Sequence, residues 1–314
     1  MKHLFVVNPR ALPPDVTTDE FAENIRGAFR HSDDPYELFF TRFARDAIPA
    51  VRKFAAEAGE SEIKRVYSVG GDGMLFDIVN AVYGLKNIQI GIIPFGVEND
   101  FVKVFGAENF VKFLNIKRQI VAKTIPVDIL KVDAFVTPDY VSLGMECHVA
   151  YLGSQISNAW RGLFKRPIPS QLSRLRYITA FILTLFNRHA IYHRYVIEID
   201  GEHYDGQYAS INIANHKYVG GSMVSVPEAD CTDGEFDALF TRSTAPFGLF
   251  TLFGKHIKGR WKENRSRYIY VRGKQMRISS DTPMRLCLNG QYVYRTEVEI
   301  EILHGFAEVI APID

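Results

Sequence analysis

The chain has 314 residues, 47% of them hydrophobic and 23% charged, which is enough to bury two cores and ordinary for a globular protein. Its 37 Lys and Arg against 36 Asp and Glu leave a net charge of +1, so no bulk field recommends nucleic acid or another polyanion as partner. Three cysteines, Cys147, Cys231 and Cys287, stand far apart with no C-x-x-C pair; they fit a reducing compartment as small buried side chains and exclude a metal-finger spacing.

Residues 4–7 are an apolar run that Asn8-Pro9 stops, too short for a signal peptide's hydrophobic region and read instead as a first strand. Residues 19–30 follow as a helix with Phe21, Ile25, Ala28 and Phe29 on one face, then 37–41 as a strand and 46–58 as a helix carrying Val51, Phe54 and Ala55. The stretch 66–69 is a β-branched run, and Leu75, Ile78, Val79 and Val82 recur at helical spacing after it. Between them lies the turn Gly70-Gly71-Asp72-Gly73, whose glycines permit close backbone approach. Backbone N–H groups opening the next helix make such a turn a phosphate site, although glycine turns also serve plain chain reversal. A strand at 88–94, a loop from Phe95 to Asp100 and a helix from Phe101 come next. Strand alternating with helix predicts a parallel sheet covered on both faces, with ligands at the carboxyl ends of its strands, where the Asp72 and Asp100 loops lie.

Pro126 marks a change of texture. Residues 128–136 and 140–149 read as strands, 195–200 and 209–213 alternate in and out, and short strands run from Tyr268 to Ile310 with Asn289-Gly290 between two of them. This half is mostly antiparallel β, interrupted by helices at 171–187 and 246–256. His256 is read as a helix-end histidine. Arg161, Lys165, Arg166, Arg174, Arg176 and Arg188 flank the apolar stretch 177–186, while Phe247, Leu249, Phe250, Leu252 and Phe253 precede Lys255, Lys258, Arg260 and Trp261. Such helices are either buried core with solvated ends or a face that meets anionic lipid. No segment reaches the ~20 apolar residues that span a bilayer, so the expectation is a cytoplasmic protein, peripheral at most.

The ordered set of motifs resembles the diacylglycerol kinase and sphingosine kinase superfamily, in particular its bacterial soluble lipid kinases. The matching pieces are Asn8-Pro9, Thr41 with Asp46-Ala47, Gly70-Gly71-Asp72-Gly73, the segment from Ile93 to Phe101, Asn215 to Met223, Pro227 to Asp237, Gly254-Lys255-His256 and Leu288 to Gln291. A lone G-G-D-G is shared with NAD kinases and phosphofructokinases; the order and spacing of the rest make the resemblance specific. It implies an α/β nucleotide domain of the NAD kinase and phosphofructokinase type over residues 1–127, a β-sandwich lipid domain over 128–303, and a tail, 304–314, returning to the first. It further implies ATP at Asn8, Thr41, Gly70, Gly71, Asp72, Gly73, Met74, Gly96, Val97, Asn99 and Asp100, and Mg²⁺ at Asp230, Asp233 and Glu235. Asn289 would stand where the family has its proposed general base, with Asp72 as the other catalytic position and a lipid as substrate. The same acidic cluster also reads as a polar turn feeding a strand.

Several positions depart from the family pattern. Met74 and Val97 replace hydroxyl residues, Glu98 replaces a glycine, and the family's Asp-Gly-Glu is Asn289-Gly290-Gln291. An amide cannot take a proton at neutral pH, and losing a general base costs ~10²- to 10⁴-fold in rate. Asn-Gly is also the strongest short hairpin signal. Two readings therefore stand: a lipid kinase phosphorylating a diacylglycerol-like or sphingoid-like hydroxyl, and a catalytically silent lipid or nucleotide binder on the same fold. The acceptor lipid and the oligomeric state, a homodimer included, are left open.

Overall fold

Short apolar strands alternating with amphipathic helices build the first half of the molecule. The structure is a computed structural model describing residues 1–57, 59, 61–97, 99–165, 170–221 and 223–313, with 170–174 described by backbone alone. Strand β1 (Lys2–Val7), helix α1 (Thr18–Ala28), β2 (Tyr36–Phe40), α2 (Ala47–Glu57), β3 (Lys64–Gly70), α3 (Asp72–Val82) and β4 (Ile88–Pro94) follow in order. The strands pair in parallel as β2-β1-β3-β4. Alternate residues of β1 enter opposite cores, Leu4 and Val6 with Val66 and Ile78, Phe5 and Val7 with Ile25 and Tyr67, because side chains of a strand point to its two faces in turn. Thr17 and Glu20 close a capping box that starts α1, satisfying helix N–H groups left without partners.

The expected helix from Phe101 is broken. Two 3₁₀ turns, Phe101–Phe105 and Ala107–Asn109, precede α4 (Phe110–Phe113) and α5 (Ile116–Val121). Gly106 reverses the chain between the turns at φ +96°, a conformation no helix holds.

The second half begins with β5 (Thr124–Val132), β6 (Phe135–Thr137) and β7 (Tyr140–Gly144). Residues 140–149, expected as one strand, end their strand at Gly144, and α6 (Met145–Phe164) runs on for 20 residues. Gly144 has φ +75° and lies so close to β-sheet backbone that a Cβ would meet the Ala209 carbonyl oxygen at 2.4 Å. Next come α7 (Ser170–Leu185), α8 (Arg188–Ile191), β8 (His193–Ile199), β9 (Glu202–His203), β10 (Gly206–Ala214), β11 (Tyr218–Val219) and β12 (Met223–Val224). They are followed by β13 (Phe236–Arg242), α9 (Pro246–His256), β14 (Tyr268–Gly273), β15 (Gln275–Leu288) and β16 (Gln291–Ile310). Strands β7, β8, β10 and β13 to β15 pair antiparallel, and their inward side chains form a second core with Leu143, Ile197, Phe240 and Leu286 at its centre.

The two halves are an α/β unit and a β-rich unit joined by the paired strands β5 and β16; Val127 and Ile129 of β5 lie in a core of the first, Leu130 and Val132 in the core of the second. Near its start β16 forms a hairpin with β15, then lies antiparallel to β5, and at Glu308 and Val309 runs parallel beside β4. Cys147, Cys231 and Cys287 are buried and unbridged. Among the described residues no helix is long and apolar enough to cross a membrane.

Candidate active site

β3 delivers the chain to the glycine turn. Gly71 is the N-cap of α3 and lends no side-chain cap, so backbone N–H groups of the first helical turn face the crevice, the arrangement that favours phosphate. The loop after β4 packs directly against this turn: a Cβ on Gly96 would lie 2.2 Å from the Gly71 Cα. Glycine at 96 is thus required by a backbone-to-backbone contact. Asn99 donates from Nδ2 to the Gly96 carbonyl at 2.7 Å and fixes the loop. The Asp100 N–H donates to Asp72 Oδ2 at 2.8 Å, locking the two loops together.

Across the gap, the Asn289-Gly290 turn joining β15 and β16 has φ +47° and +79°, the backbone that a two-residue Asn-Gly hairpin requires. The Asn289 Nδ2 donates to the Asp72 carbonyl at 2.9 Å. The amide from the second half thereby touches the glycine turn of the first. Asp100 closes the contact from another side, accepting from Lys103 Nζ at 2.6 Å and from the Gly221 N–H at 2.7 Å.

These elements frame a cleft of about 1620 Å³. Asn8, Thr41, Gly71, Asp72, Gly73, Met74, Gly96, Val97, Asp100 and Asn289 all line it. Gly70 and Asn99 support the lining from behind, and Glu98 lies outside the described residues. Thr41 turns its hydroxyl onto the Val7 carbonyl at 3.3 Å, and Asn8 Oδ1 accepts from the Arg10 N–H at 3.1 Å. Met74 packs beside Gly70, with its Cβ 3.1 Å from where a Cβ on Gly70 would sit. Arg10 and Arg42 line the same end, while the far end is walled by Val149, Phe181, Phe253 and Ile257. One end is therefore glycine-lined, with Arg10 and Arg42 beside the carboxylates of Asp72, Asp77 and Asp100, and the other has an apolar wall that Glu146, Arg161 and Arg176 interrupt.

A second layer of acid was not legible in the sequence. Asp139, just before β7, is fully buried and lines the cleft; His216 Nε2 lies 2.9 Å from its Oδ1. The Tyr218 N–H donates to His216 Nδ1 at 3.2 Å, which assigns the ring proton to Nε2, facing Asp139. Asp139 Oδ2 has no hydrogen-bond partner. Burial first, and then the Asp139 charge, push the Asp72 carboxyl up to about 8 against the hydrogen bond from the Asp100 backbone. Burial likewise raises Asp139, opposed by His216. Glu146, in the first turn of α6, sits 2.8 Å from His256 Nε2, which also contacts Ser225 Oγ at 2.9 Å. Burial works against the Glu146 charge, but His256, Asn212 and Ser210 outweigh it and hold the group below its ordinary range.

The acidic cluster assigned to Mg²⁺ is not brought to the cleft. Arg272 pairs with Asp233, with Glu235 at 3.0 Å and with Asp237 at 3.7 Å, while Asp230 Oδ1 accepts from the Thr232 N–H at 3.0 Å and from its hydroxyl. These carboxylates close a turn and neutralise an arginine. Among the described residues no group of three or more His, Cys, Asp or Glu side chains is arranged to hold a metal ion. The donor set thus does not fit a protein-built metal cage, whereas the glycine edge fits a phosphate chain: a Cβ on Gly73 would meet nothing within 4 Å, so that backbone stands open.

An α/β unit and a β-rich unit meeting at a glycine-lined cleft define a two-domain, kinase-like architecture. Residues 2–132 match the diacylglycerol kinase catalytic domain family, and residues 165–311 match the YegS C-terminal NAD kinase beta sandwich-like domain. The chain belongs to the lipid kinase-like family built from these two domains. A protein named "Putative lipid kinase" from Staphylococcus aureus (strain MRSA252) is 23% identical over 84% of this chain and 83% of its own length. Its counterpart from the strain Newman is 22% identical over the same shares. Two crystal structures of Bacillus anthracis str. Sterne proteins share the fold. One, titled a "putative diacylglycerol kinase", has a TM-score of 0.74 at 23% identity, covering 99% of this chain and 95% of that one. The other, titled as a diacylglycerol kinase, has a TM-score of 0.68 at 21% identity, covering 99% and 96%.

Proposed function

We propose that this chain transfers a phosphoryl group from a nucleoside triphosphate, ATP in the simplest case, to a hydroxyl of a diacylglycerol-like or sphingoid-like lipid. The observation that carries the reading is the meeting of Asp72 and Asn289, bonded at 2.9 Å, in one cleft that has both a glycine-lined edge and an apolar wall. Phosphoryl transfer asks a protein mainly for positioning and for electrostatic stabilisation. The open backbone at Gly73, the α3 N-terminus, Arg10 and Arg42 supply both for a phosphate chain, and the apolar wall holds an acyl chain.

Asn289 cannot act as base, and its amide is engaged in placing the α3 turn. Asp72 takes the chemical role. The lipid oxygen bonds to the γ-phosphorus, the bond from that phosphorus to the nucleoside diphosphate breaks, and the hydroxyl proton passes to Asp72. A carboxyl raised to about 8 is a competent acceptor, because a base works best with its pKa near the operating pH. No step is assigned to a protein-held metal.

The test is incubation of the purified protein with labelled ATP and a lipid panel, beside an Asp72→Asn variant. Label appears in a lipid with the native chain, and the variant is slower by ~10²- to 10⁴-fold. No transfer to any lipid, alongside lipid or nucleotide binding that protects the fold, would instead support the catalytically silent binder, a reading favoured by the loss of the acid at Asn289.

A further inference from the structure

Glu146 takes no part in the proposed transfer, yet it faces the same cleft. It lies in the first turn of α6, and with Val149 and Ala150 it forms the stripe of that helix that lines the cleft, as residues three and four apart do. The sheet fixes its place. Cys287, two residues before Asn289, pairs with Ser142 on β7, and Ser142 leads through Gly144 into α6. Cys287, Ser142 and Glu146 all line the cleft. Glu146 therefore stands on the path from the Asn289 turn to Val149, one helical turn on, which clusters with Phe181 and Phe253 in the apolar wall.

A carboxylate at the head of an apolar wall is costly unless hydrogen bonds meet it. From behind it is met: burial opposes the charge, but His256, 2.8 Å away through its Nε2, together with Asn212 and Ser210 holds the group ionised. Toward the cleft it stays open, for the Glu146 side chain is 15% exposed and that of His256 only 3%. The cluster behind has no donor to spare, since Asn212 Oδ1 is itself buried without a hydrogen-bond partner. The ion pair with His256 by itself ties α6 to α9; it makes no use of the side that the cleft exposes. An ionised carboxylate only accepts hydrogen bonds, so a ligand meeting that side must donate. The ester oxygens of a diacylglycerol only accept and have nothing to offer there. An ammonium group donates and also brings the opposite charge.

We propose that Glu146 is a specificity-determining residue, which selects a long-chain amino alcohol as the acceptor and disfavours a diacylglycerol. The hydroxyl of such a molecule lies at the Asp72 and Asn289 contact, its ammonium donates to Glu146, and its alkyl chain follows Val149 to Phe181 and Phe253. Discrimination arises on both sides. The amine gains a charge-assisted hydrogen bond, while an ester placed there takes water from the carboxylate and returns no donor, the kind of loss by which polar sites reject analogues that lack the matching group. The proposal deepens the phosphotransferase reading and rests on its lipid acceptor, though the selective binding itself does not require transfer.

The experiment is equilibrium binding, without nucleotide, of three soluble probes: a short-chain amino diol, its N-acetyl derivative and dioctanoylglycerol. The native chain binds the amino diol most tightly, and acetylation, which removes the positive charge, weakens it. Glu146→Gln lowers affinity for the amino diol by about tenfold to a hundredfold, the worth of a hydrogen bond to a charged group, and leaves affinity for dioctanoylglycerol as it was. Glu146→Asp, which keeps the charge on a shorter stem, retains more of the preference than Glu146→Gln. Dioctanoylglycerol bound as tightly as the amino diol, binding of none of the probes, or a Glu146→Gln protein that keeps the native preference overturns the proposal. Circular dichroism checks the variants' fold, and the ranking of the three probes on the native chain decides if they fail to fold. Phosphoryl transfer from labelled ATP to the same probes is measured separately. Selective binding of the amino diol without transfer to any probe sinks the kinase reading alone, and transfer to dioctanoylglycerol with no preference for the amine sinks this one alone.

Discussion

Asp72 has an ionisation problem that its surroundings make worse. Burial and the Asp139 charge favour its neutral form and raise it to about 8. The linkage sign follows. Its contribution to stability is whole below the ordinary carboxylate range and is lost as pH climbs through about 8. Native protein should therefore lose melting temperature between mildly acidic and mildly alkaline pH. Asp72→Asn should flatten that dependence while slowing transfer by ~10²- to 10⁴-fold, raising stability at alkaline pH by roughly 1–2 kcal/mol. Thermal melts across that range check it, and a variant as pH-sensitive as the native chain contradicts it. Transfer itself should rise with pH toward about 8, and Asp139→Asn should move that rise to lower pH by removing the second cause of the Asp72 shift.

Asn289→Asp puts a carboxylate in the hairpin turn that touches the α3 N-terminus. Here it would remove the amide donor to the Asp72 carbonyl and add an acid beside groups that already suppress one another's ionisation. A loss of about 1–3 kcal/mol is expected from the unpaired, poorly solvated group, read as a lower denaturant midpoint. Any gain in transfer should appear only at alkaline pH.

At the scale of elements, the site depends on how closely two loops approach. Gly96→Ala would thrust a Cβ to 2.2 Å from the Gly71 Cα, backbone that cannot rotate away. The β4 loop must then move off the α3 turn, at a cost of about 1–3 kcal/mol and with loss of nucleotide protection in a thermal shift assay. Retained protection would show that the loop contact does not shape the site.

The glycine turn, the β4 loop and the Asn-Gly hairpin were legible because each is local: its residues lie together and their conformations follow from missing side chains or a left-handed Asn. Asp139 and His216 are 77 residues apart in sequence, and only the antiparallel register of β7 with β10, Tyr140 opposite Ala214, brings them together. No periodicity encodes that meeting. Helix α6 was hidden for a different reason. Its sequence continues the apolar texture of β7, and the break depends on Gly144 fitting against the Ala209 carbonyl, a tertiary contact. Asp230, Asp233 and Glu235 have the residue types of a cation site, but the arginine that neutralises two of them comes from β14, remote in the chain.

At the scale of the whole molecule, β16 and the β5 strand paired with it make the two units one. Val298 and Ile300 lie in the core of the β-rich unit, Ala307 and Val309 in one core of the α/β unit and Ile310 in the other. A strand that spans cores transmits the loss of either. The Asp100 carboxylate on the Gly221 N–H and the Asn289 amide on the Asp72 carbonyl tie the same units across the cleft. Unfolding one unit alone would strip β4 of its β16 neighbour and leave half of β16 without its partners, exposing backbone groups that are costly to leave unpaired. The chain should accordingly unfold in a single calorimetric transition. Ile310→Ala, at a fully buried site, should lower that transition as a whole by roughly 2–5 kcal/mol, even though the residue touches only the α/β unit. Hydrogen exchange locates the effect: amides of β15 and β10, remote from the substitution, should lose protection together with those of β1 and β4. Two separable transitions, with only the first shifted by the substitution, would mean that β16 links two independently folding bodies, and cleft geometry would then be free to vary between them.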